Sequence, residues 1–340
     1  MYRINLSLTT LLIIIFATIL CEAKREHHIQ GRTMGTTYQV KLVTGDDEGI
    51  DGIKEKIDLR LLEINRSMST YQKDSEISRF NRLKKTGLKF KISNDFFKVM
   101  RAGQRIHWLS DGAWDGSVTP LVDLWGFGRS GRRDKVPPNS EIAALLPDIG
   151  FAHIDVLNSG FLTKKRAAVS IDLSSIAKGY GVDEVAALLR SLGYGDYLVE
   201  IGGEIFAAGH RKANTHWRIG INRPRADAAF DEVYKVVCLH NQAFASSGDY
   251  RNFFEVDGTR YSHVIDPRSG YPVSNGVVGV SIVAGTCIFA DGLATAVMVM
   301  GAEKGLELID RLDGVEALIV VEQTGGTLVD YYSKGFEVIN

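Results

Sequence analysis

Proline and cysteine are scarce in this chain, with 7 Pro and 3 Cys among 340 residues. Average usage would give about 17 Pro and about 24 Gly. The 35 glycines therefore need a cause other than low complexity. Beyond Cys21 only Cys238 and Cys287 remain, without CxxC or Cys/His metal spacing, which excludes a disulfide framework. Net charge is also missing: 40 Lys+Arg against 41 Asp+Glu leave −1, so the chain has no bulk charge with which to grip nucleic acid. A hydrophobic share of 45% with 9% aromatics excludes a disordered, solvating chain. Long apolar runs are absent as well. The one that stands out, Leu11–Leu20, is too short to span a bilayer and has the length of a signal-peptide core.

Residues 1–20 thus read as an export signal. Cys21 follows directly, at the place where bacterial lipoproteins are cleaved and acylated, although Leu20 stands where a small residue is usual. An inner-membrane lipoprotein facing the periplasm is expected, with cleavage after Ala23 into a soluble form, or an uncleaved anchor, as the alternatives. Residues 21–32 read as a polar, basic tether and 33–340 as the folded domain, of a size that buries most of its unfolded surface.

Thr36–Val43 alternates as a strand, and Ile50, Ile53, Ile57, Leu61 and Ile64 fall on one face of a helix. A helix is expected over Phe96–Leu109, strands over Val169–Leu173 and Tyr197–Ile201, and a helix between them whose stripe ends at Gly193. Further on come a strand at Val277–Val283, a helix over Ala290–Met300 and a hairpin turning at Thr324-Gly325-Gly326. Helices and strands alternate unevenly, which favours α+β over a doubly wound sheet.

Gly126, Gly128 and Gly131 match G-x-G-x-x-G, but Arg132, Arg133, Asp134 and Pro137-Pro138 follow where a helix must open, so the segment reads as a basic loop. Asp172-Leu-Ser-Ser-Ile-Ala-Lys178-Gly-Tyr-Gly181 places a carboxylate, a Ser-rich turn and a lysine at a helix start, a setting that favours anions. The plainer reading makes Asp172 a cap and Lys178 solvated. Asp291 and Thr295, four apart, put two oxygens on one helix face, a ligand set for Mg²⁺; alternatively Asp291 is an N-cap and Thr295 bonds back one turn. His263, beside an Asp-Pro turn, is a candidate base or phosphate ligand, or simply a packed histidine. Trp114 and Asp115 offer an aromatic beside a carboxylate, suited to a planar ligand or to a core position.

In this order, Met34–Tyr38, Ser69–Tyr71, Trp114–Ser117, Leu121–Gly128, Asp172–Tyr180, Gly202–Glu204, Ser247–Tyr250, His263–Gly270 and Ala290–Ala296 resemble the ApbE family of FAD:protein FMN transferases. The resemblance implies an α+β, T-fold-like two-layer architecture. It puts Met34, Tyr71, Ala113, Trp114, Asp115, Asp172, Lys178 and Ile265 around FAD, and Asp291, Thr295 and Ser175 around Mg²⁺, with Ser175 acting through its side chain or its carbonyl. His263 becomes the leading catalytic base and Asp172 the reserve. The implied reaction moves FMN from FAD to a Thr hydroxyl of an acceptor flavoprotein subunit of a respiratory redox complex, within a D-G-x-[ST]-[SG]-A-T motif, releasing AMP. This chain's own Asp291-Gly-Leu-Ala294-Thr-Ala fails that motif at Ala294. Hydrolysis of FAD to FMN and AMP, or FAD binding without catalysis, are the competing expectations.

Overall fold

The computed structural model describes residues 24–45, 49–128, 131, 135–229 and 231–339. The expected export signal and Cys21 lie outside the described residues, as do Arg132, Arg133 and Asp134 of the basic loop. Among the described residues no helix is long and apolar enough to cross a membrane.

Eight strands form the main sheet: β1 (Arg25–Thr33), β2 (Thr36–Thr44), β3 (Asp196–Ile201), β4 (Glu204–Ala208), β5 (Gln242–Gly248), β6 (Val277–Ala284), β7 (Glu316–Glu322) and β8 (Leu328–Tyr332). Their order in space is their order in the chain, and every neighbour is antiparallel. The sheet is therefore a meander whose connections carry the rest of the molecule. Residues 25–32, expected as a tether, instead form β1 in full register with β2. Being at the edge, β1 buries only Ile29 and Thr33, so its polar composition hid the strand.

Five helices matter for the site: α1 (Ile53–Met68), α2 (Asn94–Leu109), α3 (Ser174–Ser191), α4 (Cys287–Met300) and α5 (Ala302–Ile309). In α1, Ile53, Ile57, Leu61 and Ile64 are buried, as the 3.6-residue period requires. Helix α4 is apolar on nearly every side because it runs between β5 and β6 on one flank and α3 on the other. This helix-on-sheet arrangement gives the α+β, two-layer fold. On the opposite sheet face, a ribbon of Trp217–Asn222 paired with Val233–Leu239 covers Val43, Ile205, Phe244 and Leu318.

Val169–Leu173 does not become a strand. Its alternate residues Val169, Ile171 and Leu173 are buried, but its backbone is satisfied otherwise. Asn81 bonds both the amide and the carbonyl of Ile171, and the Asp172 amide donates to Gly116. The segment is thus a strap that lifts Asp172 and the start of α3 toward the sheet.

Two glycines let α3 and α4 touch. A Cβ at Gly179 would lie 2.4 Å from the Cys287 carbonyl, and one at Gly292 2.8 Å from Ile176 of α3. Asp183 of α3 then accepts from the Cys287 and Ile288 amides, capping α4 from across the interface at 2.7 and 2.9 Å. Burial, against those two amides, pushes the Asp183 carboxyl up to about 6.

Candidate active site

Between the start of α3 and the middle and end of α4, a cleft of about 850 Å³ opens beside the 113–128 segment and the 263–267 turn. That is near the top of the usual range for small-molecule sites. All the sequence-derived candidates line it except Met34. Met34 and Gly35 form the β1–β2 turn, both with positive φ (49° and 77°), and a Cβ on Gly181 would lie 3.0 Å from the Met34 methyl. Met34 thus sits against α3, one turn beyond Lys178, rather than in the cleft.

The floor is a buried charge cluster. Lys178 Nζ lies 2.8 Å from Glu204 Oε1 and 3.9 Å from Asp291 Oδ1. Both carboxylates are buried, at 4% and 3% exposure. Asp291 is no N-cap: α4 starts at Cys287, and Asp291 Oδ2 instead accepts from the Gly179 amide at 3.0 Å. Glu204 Oε2 is buried with no hydrogen-bond partner among the described residues. Burial pushes the carboxyl of Glu204 up, reinforced by Asp291, and burial does the same to Asp291 against the pull of Lys178. Burial alone would push Lys178 down, but Asp291 and Glu204 together outweigh it and hold the ammonium form. Two acids facing one base leave the second carboxyl to be balanced by a proton or by a bound cation, and an orphaned carboxyl oxygen costs free energy unless something binds it.

Oxygen donors gather around that charge. Thr295 lies one turn after Asp291, its Oγ1 3.4 Å from Ser247 Oγ. Ser175, in the first turn of α3, accepts from Trp114 Nε1 at 3.0 Å. Carboxylate, hydroxyl and carbonyl oxygens without any sulfur or imidazole form the donor set of a hard cation such as Mg²⁺.

Across the cleft, His263 is held by Asn252, whose carbonyl accepts from its Nδ1 at 3.2 Å. That bond leaves Nε2 as the free lone pair. Burial first, and then Arg260, push the imidazole below its ordinary value, so it is neutral near pH 7. Asp172, the reserve base, is engaged at both oxygens, by the Ser174 amide at 2.8 Å and the Thr70 hydroxyl at 2.9 Å. It organises the strap and the α3 start. Asp115 is likewise committed, accepting from the Ser117 and Phe151 amides at 2.8 Å each. Trp114 is buried edge-on against Phe151, beside Ala113. Tyr71 stands 83% exposed at the mouth, and Ile265 is buried on the far wall.

The residue that sequence reasoning passed over is Glu204. Its signal was a carboxylate opening the otherwise apolar strand Glu204–Ala208 directly after a Gly202-Gly203 turn.

Residues 34–319 match the ApbE family. The chain belongs to the ApbE family. The FAD:protein FMN transferase of Vibrio cholerae is 42% identical over 93% of this chain and 94% of its own length, and that of Escherichia coli K12 is 33% identical over 91% and 88%. Two solved ApbE structures superpose closely. The flavin transferase from Vibrio cholerae gives a TM-score of 0.84 at 40% identity, covering 92% of this chain and 98% of the other. The apo flavinyl transferase from Pseudomonas stutzeri gives 0.81 at 38%, covering 92% and 95%. The ApbE fold is thus that of this chain, and the cleft between α3 and α4 is its candidate active site.

Proposed function

We propose that this ApbE protein is an exported, Mg²⁺-dependent FAD:protein FMN transferase that attaches FMN to a Thr hydroxyl of an acceptor protein and releases AMP. The observation that carries the reading is the pair of buried carboxyls, Asp291 and Glu204, that share the one lysine Lys178 in the same cleft as the free Nε2 of His263.

Asp291 and Thr295 would hold Mg²⁺ together with an oxygen of Ser175, its carbonyl or its hydroxyl, the latter already accepting from Trp114. When bound, the ion offsets negative charge on the pyrophosphate. Lys178, fixed by Glu204, adds a positive charge on the same side. His263 Nε2 takes the proton from the acceptor Thr hydroxyl as its oxygen bonds to the FMN-side phosphorus. The bond from that phosphorus to the bridging oxygen breaks, and AMP leaves with the electron pair. Trp114 and Ile265 form apolar walls for the flavin side, and Asp172 and Asp115 keep the surrounding backbone in place. Acceptors are flavoprotein subunits of respiratory redox complexes carrying D-G-x-[ST]-[SG]-A-T, and the enzyme works from a lipid anchor at Cys21 on the periplasmic face.

Exposure of Tyr71 at the mouth favours water as a second acceptor. Measuring AMP with and without an acceptor peptide separates the possibilities. Transfer gives AMP only with acceptor and in equal amount to labelled peptide. AMP formed equally without acceptor makes the protein a pyrophosphatase, and intact FAD after long incubation with Mg²⁺ makes it a flavin carrier.

A further inference from the structure

At the other end of β4 and β5 three histidines converge. His210 follows β4, His240 precedes β5, and His216 precedes the ribbon strand that starts at Trp217. The ribbon register explains the meeting: Trp217 pairs with Leu239, so His216 and His240 are the next facing positions, and β4 brings in His210. One nitrogen from each ring lies within 4.8 Å of the other two, and the ring centroids are 4.9 to 5.9 Å apart. No carboxylate belongs to the set, and His216 and His240 are exposed while His210 is half-buried.

Two hydrogen bonds settle the tautomer of His240. Asn241 accepts the Gly209 amide through Oδ1, which orients its amide nitrogen toward His240 Nε2 at 3.1 Å. An amide nitrogen only donates, so Nε2 carries the lone pair and Nδ1–H points to the Gly209 carbonyl at 3.3 Å. A histidine whose distal N–H rests on a backbone carbonyl is the arrangement that orients metal-binding imidazoles. The His210 backbone is pinned as well, its amide donating to Asp196 at 2.9 Å.

We infer that His210, His216 and His240 form a second metal site, for a borderline divalent transition ion such as Zn²⁺, separate from the oxygen-rich cleft. Three imidazoles suit Zn²⁺, with a water or exogenous ligand in the fourth position. At Zn–N distances of about 2.0–2.1 Å the nitrogens must draw together to roughly 3.4 Å, a small rotation for exposed side chains. Asn241 would yield its hold on Nε2 to the ion. The site lies a strand length from Glu204, roughly 15–20 Å along β4, so its ion takes no part in the transfer chemistry. Its effect is to clamp residues 209–216, where Ala213 and Asn214 both carry φ of 57°, onto the turn at His240.

The test uses the full chain, stripped of metal and held in excess Mg²⁺ so that the oxygen site is satisfied. Zn²⁺ binding is measured by competition with a chromophoric chelator, and Co²⁺ is added as a spectroscopic probe. One equivalent of Zn²⁺ is expected, together with visible Co²⁺ bands of a tetrahedral, nitrogen-rich site. His216→Gln and His240→Gln should each weaken binding at least about 10-fold, and the triple variant with His210→Gln should abolish it. Flavin transfer should be unchanged in all three. Cys238→Ser, which removes the exposed thiol two residues before His240, should bind as the parent does. Unchanged Zn²⁺ affinity in the triple variant, absence of Co²⁺ bands in the parent, or loss of binding in Cys238→Ser would each overturn the site.

Discussion

Helix α3 carries two charge clusters that differ in one respect. Around Glu184, Arg60 pairs with Asp95 through both nitrogens and with Glu184, and Lys98 closes on Glu184. Tyr180 donates to Asp95 as well. Glu63, out at the solvent, also pairs with Arg60; the two half-buried acids, Asp95 and Glu184, meet two bases, and each of their carboxyls is held below its ordinary value: burial opposes this, but Arg60 and its neighbours outweigh it. Around Lys178, two acids meet one base, both carboxyls are pushed up, and one oxygen of Glu204 has no partner among the described residues. The first cluster is complete and holds α1, α2 and α3 together. The second leaves one buried acid without a basic partner, and this is what marks it as the candidate site rather than a brace.

Matched substitutions test that contrast. Asp291→Asn should cost flavin transfer about 10²–10³-fold or more, several kcal/mol of transition-state stabilisation, in a chain that still folds. Asp95→Asn should do the reverse, keeping transfer while lowering stability by about 1–3 kcal/mol in denaturant unfolding, because Arg60 loses its charged partner. Comparable effects of the two on both assays would erase the distinction.

The chemistry on the cleft side is checked by His263→Gln, expected to lower kcat about 10²-fold or more. As a base, His263 must be neutral, and its folded value is depressed from 6.5. The rate should therefore be flat at neutral pH and fall only below pH 6.5, and the variant should lose this acid limb.

Smaller effects separate the clusters by pH. Asp95 and Glu184 have folded values below their ordinary 3.8 and 4.5, so their contribution to stability is full above those values. It drains away as pH falls through the depressed folded values. Arg60→Gln should flatten that part of the stability profile below about pH 4.5. Least of all, Lys98→Ala removes a half-exposed partner and should change stability by no more than about 0.5 kcal/mol.

Much of this architecture was legible in the chain. The periods of α1 and β2, the stop at Gly193 and the Thr324–Gly326 hairpin follow from local pattern, which tertiary packing reinforced. Two segments misled for opposite reasons. Residues 25–32 looked too polar for a strand because an edge strand buries little, whereas Val169–Leu173 alternated as a strand but met Asn81 and Gly116 instead of a ladder. Most site residues could be placed by resemblance, yet their duties could not. Asp115 and Asp172 spend their oxygens on nearby backbone and hydroxyl groups, which no spacing reveals. Glu204 and the three histidines depend on partners far away in sequence, brought together only by sheet register.

On the proposed reading, the carboxyl pair beside Lys178 serves transfer of FMN to protein. Its most direct test is the intact mass of a D-G-x-T-G-A-T acceptor peptide after incubation with FAD and Mg²⁺, using the parent chain and Asp291→Asn side by side. One FMN increment is expected with the parent, lost on chelation and nearly absent with the variant. An unmodified peptide with the parent, or equal modification by the variant, would contradict it.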